Sequence, residues 1–593
     1  MLKKTLYHHL LIIALAGGLS FGLAACMRTG APSLKPVYTL NILHMNDTHS
    51  HVDPEDWTVN INGRDTKIAL GGFTRMMSAL AEERGKRENT LVLHGGDAFQ
   101  GTLYFVHYEG AADRDFLNLF NIDAMAAGNH EFDKGPAFLA RFARTVRFPI
   151  LSANTEIDPA GDLAGKILPY TIKEVGGQKI GIIGLTTVET KHSSSPGGQV
   201  VFTDPVAAAD KYCRELAGRD INKIIVLSHL GFETDRILAK TVRGIDVIVG
   251  GHSHTPIGTF NRFAIDAVDP CPWVEKGPDG INVPIVQAWE WAKVLGRITL
   301  SFDADGRVIA YEGMPQLIVG CPFRQRWKDV NGDGRIDGND PYSEVTPEEA
   351  PDRYEDIVRH IESSGQARMW NDHQEAKILH DHYARGLYKM RKTVVAAALE
   401  PLDGAGSNSG AGPLVADSML RKTKSFGAVM AVENVRALRG DIAKGDITAG
   451  QIYELLPFRN SLVIIDLSAA EIKSALEEAI AKSHEKWGYG MDKYLYVAGV
   501  RFRVDLAKPM GERIFRIEVM TDGVFRPLME GSRYKVVTNS FLAAGGDNYG
   551  TFKAALSKQD TGFIDSDVFL EYVTELKTLK NPIEKRVVVE DLP

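Results

Sequence analysis

The chain has 593 residues, too long for one hydrophobic core, and roughly three or four domain-sized units are expected. Hydrophobic residues make up 44% and charged residues 24%, a globular composition that excludes a largely disordered chain. The 68 Lys and Arg against 76 Asp and Glu give a net charge of −8, which argues against a nucleic-acid polymer as partner.

Residues 1–26 have the pattern of an export signal. Lys3 and Lys4 precede an apolar run that is short for a membrane span. The run ends in "LAAC", which resembles the bacterial lipobox, where cleavage precedes the cysteine and Cys26 would carry the lipid. A short transmembrane anchor and ordinary signal cleavage are the alternatives. We expect an exported protein, anchored by this lipid to the outer membrane and facing the periplasm or the cell surface.

From residue 37 to residue 322 the sequence alternates between two patterns. Short apolar runs such as "YTLNILHM", "TLVLHGG", "IGIIGLT" and "KIIVLSH" alternate with helical stretches such as "GGFTRMMSALAEE". This alternation predicts a layered α/β domain.

Donor side chains follow five of the predicted strands. In open α/β sheets, ligands collect at the carboxyl ends of strands. The donors, in chain order, are Asp47 and His49, then Asp97, then Asn129 and His130 in "AAGNHEFDKG", then His229, and finally His252 and His254.

These donors predict a centre of two metal ions. Asp, Asn and His suit Mn, Zn or Fe. Seven donors, with His130 set aside, exceed the needs of one tetrahedral metal and fit two metals that share a carboxylate. A single motif of this kind is common in loops that bind no metal, whereas five such motifs in series are uncommon. Three further histidines, His44, His51 and His94, are expected to support the ligands or pack in the core.

Export places the remaining cysteines in an oxidising compartment. Cys271 in "DPCPW" and Cys321 in "VGCPF" lie in proline-containing segments, which predict loops. We expect a disulfide between these two cysteines. Cys213 lies in a helical pattern and is expected to be a buried thiol.

Residues 323–350 form a charged insertion with a calcium-loop pattern. "DVNGDGRIDGND" places calcium donors at Asp329, Asn331, Asp333, Arg335 (through its carbonyl), Asp337 and Asp340. Asp replaces the usual Glu at the last position, and a solvated acidic turn is the alternative. Residues 351–395 then predict a linking helix.

A second α/β region is predicted over residues 396–585. Ser468 and Glu471 form a capping box before the apolar positions Ile472, Leu476 and Ile480, which predicts a helix there.

The series "NDTH", "GGD", "GNHEFD", "SHLG" and "GGHSH" closely resembles the calcineurin-like metallophosphoesterases, in their bacterial 5′-nucleotidase and UDP-sugar hydrolase branch. The resemblance implies a four-layer α/β/β/α domain joined by a helix to an α/β substrate domain. It also implies that Asp47, His49, Asp97 and His254 hold one metal, and that Asp97 bridges to a second metal held by Asn129, His229 and His252. By the same resemblance His130 is a catalytic residue oriented by Asp133, and Glu131 is structural.

The same resemblance implies a nucleotide site in the second region. Phe458 in "LPFRN" and Phe541 in "NSFLAAGGD" match aromatic residues that stack on the base, while Arg436, Asn460 and Asp547 match polar substrate contacts. Without the resemblance, both phenylalanines would be assigned to a core. Glu433 and Asn434 stand where the family usually has glycines, a change expected to narrow or recharge the pocket.

We therefore expect a monomeric phosphohydrolase that uses two divalent metals to release phosphate from nucleoside 5′-monophosphates and that also accepts nucleotide diphosphate conjugates. The alternatives are a cyclic-nucleotide phosphodiesterase, a thiosulfohydrolase, and a surface binding protein without turnover.

Overall fold

The computed structural model describes residues 36–330, 335–336, 340–404, 406–481, 495–521 and 523–590. The predicted lipidation site Cys26 and three residues of the predicted calcium loop, Asn331, Asp333 and Asp337, lie outside these ranges. Among the described residues, no helix has both the length and the apolar character needed to cross a membrane.

The region before the insertion contains most of the strands. They are β1 (Tyr38–Met45), β2 (Glu55–Ile61), β3 (Arg64–Leu70), β4 (Thr90–His94), β5 (Ala124–Ala126), β6 (Ile150–Leu151), β7 (Thr155–Ile157), β8 (Ile167–Leu168), β9 (Tyr170–Val175), β10 (Gln178–Thr186), β11 (Val200–Phe202), β12 (Ile224–His229), β13 (Val247–Val249), β14 (Trp273–Lys276), β15 (Asn282–Val286), β16 (Val294–Phe302), β17 (Val308–Gly313) and β18 (Gln316–Gln325). The helices are α1 (Phe73–Lys86), α2 (Leu103–Tyr108), α3 (Ala111–Leu119), α4 (Pro136–Ala143), α5 (Thr190–Ser193), α6 (Pro205–Ala217) and α7 (Phe232–Thr241).

The insertion and link follow as β19 (Ser343–Val345), α8 (Pro351–Glu362), β20 (Ala367–Met369) and the long helix α9 (Gln374–Lys392). The C-terminal strands are β21 (Val394–Ala398), β22 (Met430–Asn434), β23 (Gly445–Thr448), β24 (Ser461–Ser468), β25 (Leu495–Ala498), β26 (Val500–Val504), β27 (Ile514–Thr521), β28 (Val524–Pro527), β29 (Arg533–Asn539), β30 (Lys558–Ile564), β31 (Thr578–Leu579) and β32 (Val587–Val589). The helices there are α10 (Ala411–Thr423), α11 (Ala449–Leu455), α12 (Ala469–Ala481), α13 (Ser540–Ala543), α14 (Gly550–Lys553) and α15 (Asp565–Leu576).

Two sheets pack face to face in the first domain. One has the strand order β2-β3-β18-β16-β1-β4-β5-β6-β8, and the other has the order β14-β15-β13-β12-β10-β9. Leu40 and Leu93 of the first sheet and Ile182 and Leu227 of the second are buried together between them. The outer face of the first sheet is covered by α1 to α4 and α9, and that of the second by α6 and α7. The predicted four-layer α/β/β/α architecture is confirmed.

The sheet topology fixes where the predicted donors meet. Strands β1, β4 and β5 run parallel in one sheet, and β12 and β13 run parallel in the other. The carboxyl ends of the strands within each sheet therefore lie along one edge, and the loops that leave the two edges can converge on one site.

Helix α9 links the two halves of the molecule. Its buried residues Ala376, Tyr383 and Leu387 join the core formed by the first sheet and its helices. Asp53, in the loop before β2, accepts hydrogen bonds from His380 and Arg391 of α9 at 2.7 and 2.6 Å. The link is therefore packed against the first domain along most of its length.

The C-terminal region forms a second α/β unit with two cores of its own. Its central sheet has the order β25-β22-β29-β24-β30. The predicted capping box is confirmed at the start of α12: the Glu471 carboxylate accepts the Ser468 N–H at 2.7 Å, and the Ser468 hydroxyl accepts the Glu471 N–H at 3.2 Å.

The predicted disulfide between Cys271 and Cys321 is wrong, because both thiols are free in the structure. Cys271 is partly buried where the two sheets of the first domain meet. Cys321 is exposed within strand β18, and its Sγ lies 3.6 Å from the hydroxyl of Tyr354 on α8. The two sulfurs have different neighbours, and only one of them lies in a loop. Cys213 is buried on α6, as predicted.

Candidate metal and substrate site

The loops that carry the predicted donors have an unusual backbone conformation. Five donor residues have positive φ, between 45° and 73°, namely Asp47, His49, Asp97, His252 and His254. This left-handed region is disfavoured for residues with a side chain. Gly128 meets a second constraint, since a Cβ there would lie 2.2 Å from Asp97 Oδ1. The glycine in "AAGNHEFD" therefore makes room for the carboxylate.

The structure brings six donors into two groups. Asp47, His49 and His254 form one group, and Asp97, His229 and His252 form the other; within each group the donor atoms lie within 4.8 Å of one another. Asp97 Oδ2 lies 3.1 Å from His229 Nε2 and 3.9 Å from His49 Nε2, so this carboxylate faces both groups. Asn129 Oδ1 lies 3.3 Å from His229 Nε2, which places the seventh donor at the second group.

Three of the four donor histidines are oriented in the way that metal ligands require. The Nδ1 atoms of His49 and His229 lie 2.9 and 2.7 Å from the carbonyl oxygens of Phe99 and Gly95. His254 Nδ1 lies 2.5 Å from Glu290 Oε2. A partner at one ring nitrogen fixes the tautomer and leaves Nε2 as the ligand atom.

The charges of the group also fit divalent cations. The aspartates are fully buried, and burial of a carboxylate needs a compensating positive charge. Burial lowers the pKa of His254, but the charge of Asp47 outweighs it and raises this pKa to about 10. The pKa of His229 is raised in the same way to about 9 by Asp97. Without cations these histidines hold protons, which binding of metal ions would displace.

His130 lies beside the donors but belongs to neither donor group, and its ring is paired with Asp133. Its Nδ1 lies 2.6 Å from Asp133 Oδ2, and the other Asp133 oxygen accepts the Ser194 hydroxyl at 2.6 Å. Burial lowers the pKa of His130, but the charges of Asp133 and Asp97 outweigh it and raise the pKa above its ordinary value. The structure therefore shows the His130–Asp133 pair, with Nε2 as the remaining ring nitrogen.

Glu131 is buried and organises the loop. Its carboxylate accepts the N–H groups of Gly128, Asp97 and Ala98 at 2.6, 2.9 and 2.8 Å. It thereby ties the two loops that carry Asn129 and Asp97.

The three extra histidines lie around the site rather than in either group. His44 and His94 are buried, and His94 Nε2 lies 3.0 Å from the Thr48 hydroxyl. His51 stacks on Trp291 with the ring centroids 4.1 Å apart.

A cavity of about 570 Å³ joins the donors to the second domain. Its wall includes Asn129, His130 and His252, together with all five predicted substrate residues: Arg436, Phe458, Asn460, Phe541 and Asp547. The Phe458 ring lies 5.9 Å from the His130 ring, at an interplanar angle of 28°. One base-stacking candidate, Phe458, therefore lies directly beside the catalytic candidate, and the other, Phe541, lines the same cavity.

Glu433 and Asn434, which stand where the family usually has glycines, lie in different places relative to the cavity. Asn434 lines the cavity, where its amide donates to Asp547 at 2.8 Å and accepts from Asn539 at 3.0 Å. Glu433 is fully buried outside the wall, and burial raises its pKa well above the ordinary value. Asn434 therefore narrows the pocket, while Glu433 adds no charge to its wall.

Arg439 is a further candidate, which the sequence patterns did not predict. Its guanidinium lies 5.0 Å from the centre of the Phe458 ring, inside the cleft where solvent still reaches it. Partial loss of hydration inside the cleft and the charge of Arg436 lower the pKa of Arg439 to about 10. Arg439 is therefore charged at neutral pH. The guanidinium makes no hydrogen bond or ion pair with the rest of the described chain. The signal available in "VRALRG" was its position three residues after Arg436.

Two family models match the chain. Residues 40–256 match the model described as calcineurin-like phosphoesterase, and residues 394–554 match that of the 5′-nucleotidase C-terminal domain. The two matches lie on either side of the insertion and the linking helix.

Individual relatives match over nearly the whole length. The chain is 32% identical to the "Probable 5′-nucleotidase" of Treponema pallidum, over 93% of this chain and 94% of that protein. It is 31% identical to the NAD 5′-nucleotidase of Haemophilus influenzae, over 92% and 91%. The crystal structure of a 5′-nucleotidase precursor from Thermus thermophilus has 37% identity and a TM-score of 0.76, with coverage of 94% and 100%.

Proposed function

The chain belongs to the 5′-nucleotidase family of calcineurin-like phosphoesterases, metal-dependent phosphoester hydrolases, and we propose that it releases phosphate from nucleoside 5′-monophosphates. The observation that carries this proposal is the cavity that connects His130 and the two donor groups to Phe458 and Phe541. This cavity fits a nucleotide. Its base would lie between the aromatic residues at one end, and its phosphate would lie at the donor groups at the other end.

We assign one metal to Asp47, His49, Asp97 and His254, and the other to Asn129, His229 and His252, with Asp97 shared between the two. The donor set suits Mn or Zn. Two such ions supply an activated water and neutralise the phosphoryl oxygens when they are bound.

His130 acts as the proton donor in this proposal. Burial lowers the pKa of His130, but the charge of Asp133, whose Oδ2 lies 2.6 Å from Nδ1, outweighs it and raises this pKa above the ordinary value, which favours the imidazolium with a proton on Nε2. From the wall of the cavity, Nε2 can donate to a phosphoryl oxygen or to the leaving oxygen of the nucleoside.

The test is phosphate release by the soluble fragment that begins after Cys26, loaded with Mn or Zn. AMP is assayed directly, and UDP-glucose, NAD and 2′,3′-cyclic AMP are assayed with an added phosphatase, because their hydrolysis gives phosphomonoesters; His130→Ala is the inactive control. AMP hydrolysis that disappears in the control supports the proposal. Hydrolysis of the cyclic nucleotide alone would favour the phosphodiesterase alternative, and inactivity of metal-loaded protein on every member would exclude the nucleotide substrate.

Replacement of Phe541 by alanine should raise KM for AMP by about 5- to 150-fold, since stacking on a base contributes about 1–3 kcal/mol. The KM for p-nitrophenyl phosphate, which has no nucleobase, should change far less. Steady-state kinetics on both substrates measure the difference. Equal losses on both would indicate that Phe541 only packs the domain.

Replacement of Arg439 by glutamine should lower kcat/KM for AMP by roughly 10- to 100-fold, because a charge-assisted hydrogen bond contributes about 1.5–3 kcal/mol. Arg439 faces the cleft and forms no ion pair with the described part of the chain, so we assign it to the substrate phosphate beside Arg436. Arg421→Gln, on the outer side of α10, is the matched control. An unchanged kcat/KM in Arg439→Gln would contradict the assignment.

We also retain three proposals that rest on the sequence. The protein is exported and lipid-anchored at Cys26, which mass spectrometry of the mature N-terminus tests.

The insertion binds calcium in a structural role. This proposal is supported by Asp340, which is buried and accepts the Val330 N–H at 2.8 Å. Calorimetric titration with Ca²⁺ tests it. The protein is a monomer, which light scattering tests.

A further inference from the structure

Two parallel strands of the second domain end side by side next to the nucleotide cavity. Strand β22 pairs in parallel with β29, and Ala431 lies opposite Val537. Glu433 and Asn434 are the last residues of β22, and Asn539 is the last residue of β29. The carboxyl ends of these strands therefore bring one carboxyl group next to two side-chain amides.

The Glu433 carboxyl group joins these residues into one hydrogen-bond network. Its Oε1 accepts the backbone N–H of Asn434 at 2.9 Å and also accepts the side-chain amide of Asn539. The same amide donates to Asn434 Oδ1 at 3.0 Å. All three side chains are buried, so water would not readily replace a bond that the network lost.

The network reaches two of the predicted substrate residues. Asn539 Oδ1 accepts the Leu542 N–H at 2.7 Å and so caps helix α13, which carries Phe541. In the other direction, the Asn434 amide donates to Asp547 Oδ2 at 2.8 Å. The backbone of Asp547 is left-handed, with φ of 53°, a conformation that is disfavoured and depends on contacts of this kind. One end of the network therefore holds a stacking surface, and the other end holds a polar group of the cavity wall.

We propose that Glu433 is a positioning residue for the nucleoside half of the substrate. It lies outside the cavity wall and acts through its neighbours. Through Asn539 it fixes the helix that carries Phe541, and through Asn434 it fixes Asp547. Glycine, which the family usually has at this position, could supply none of these side-chain contacts. This inference rests on the proposed function.

Replacement of Glu433 by alanine, with glutamine as the conservative variant, tests the proposal. Burial, together with the charge of Asp565, raises the pKa of Glu433 well above its ordinary value, which favours the neutral acid. Glutamine keeps the shape, the neutrality and the acceptor oxygen of that acid. The probe is adenosine, whose inhibition constant (Ki) is measured against hydrolysis of p-nitrophenyl phosphate. The Ki should rise by about tenfold in the alanine variant and by less than about threefold in the glutamine variant, while kcat for p-nitrophenyl phosphate changes little in both.

Glu477→Ala is the matched control. Glu477 is also a buried glutamate of the second domain, and its carboxylate accepts the N–H groups of Gly511 and Ile514 at 3.0 and 2.7 Å, away from the cavity wall. Its loss should lower the melting temperature but leave the Ki for adenosine within about twofold. An equal rise of Ki in Glu477→Ala and Glu433→Ala would overturn the proposal, because the effect of Glu433 would then be that of any buried glutamate.

Asn539→Ser separates the network from the helix cap. Serine can still cap α13, but it has no amide to donate to Glu433. This variant alone should raise the Ki for adenosine by about tenfold, and the test therefore stands even if Glu433→Ala does not fold. Because both residues act through one contact, the double variant should raise Ki no further than the larger single effect. An unchanged Ki in Asn539→Ser, or fully additive effects, would overturn the proposal.

AMP hydrolysis by the unmodified protein, measured in parallel, distinguishes this inference from the proposed function. A protein that hydrolyses AMP, but whose Ki for adenosine is the same in Glu433→Ala, would overturn this inference alone. A protein that hydrolyses p-nitrophenyl phosphate, but neither hydrolyses AMP nor is inhibited by adenosine, would overturn the proposed function and this inference with it.

Discussion

Replacement of His130 by alanine is expected to lower kcat for AMP by about 10²- to 10⁴-fold, the usual contribution of a positioned general acid or base. The reason is the 2.6 Å hydrogen bond that His130 Nδ1–H donates to Asp133, which favours the charged ring and leaves Nε2 as its remaining donor. Initial rates measured together with the metal content of each preparation provide the test.

The metal content separates the two roles that His130 could have. In this proposal His130 is no ligand, so the alanine variant should keep two metals per chain. Asp133→Asn is the matched variant, since it keeps a hydrogen-bonding group near Nδ1 but removes the charge, and it should lose less activity than the alanine variant. A loss of metal in His130→Ala would show that His130 is a ligand.

Replacement of Asp97 by asparagine is expected to lower kcat/KM by about 10³-fold or more, because a metal centre contributes several kcal/mol to stabilisation of the transition state. Asp97 faces both donor groups through one carboxylate. Asparagine keeps the shape and can still accept the His130 N–H, which Asp97 Oδ1 accepts at 2.8 Å. The variant therefore removes the charge with little change in packing.

Metal stoichiometry after dialysis should fall below two in Asp97→Asn. Ser194→Ala, which removes the hydroxyl that donates to Asp133, should keep both metals and serves as the control. Two tightly held metals in Asp97→Asn, together with AMP hydrolysis within about tenfold of the unmodified protein, would show that the bridging role is wrong.

The parts of the site that the sequence predicted well depend on short-range rules. Asp47, Asp97 and His229 each follow or end a run that forms a buried strand, and parallel strands bring such residues to one edge. The period of the apolar residues and the spacing of the donors after them are sufficient to indicate this arrangement.

The features that the sequence did not predict depend on long-range packing. Glu290 contacts His254 from 36 residues away, and Arg439 approaches His130 only because the second domain closes over the first. Cys271 and Cys321 resemble each other in local sequence, but Cys271 lies in the loop before β14 of one sheet and Cys321 lies within β18 of the other, so they have different neighbours. No local pattern contains this information.

The left-handed backbone at five donor residues has a consequence for thermal denaturation. Each such residue costs on the order of 1 kcal/mol. Tightly bound metal ions offset this cost, because a ligand that binds only the folded state stabilises it in proportion to the logarithm of its concentration. A protein stripped by a chelator keeps the strain at the donors without the compensation. The C-terminal region has five left-handed residues of its own, but it contains none of the assigned donors and so loses no bound metal. The first domain of the stripped protein should therefore melt at a distinctly lower temperature than the second, and added metal should bring the two transitions together.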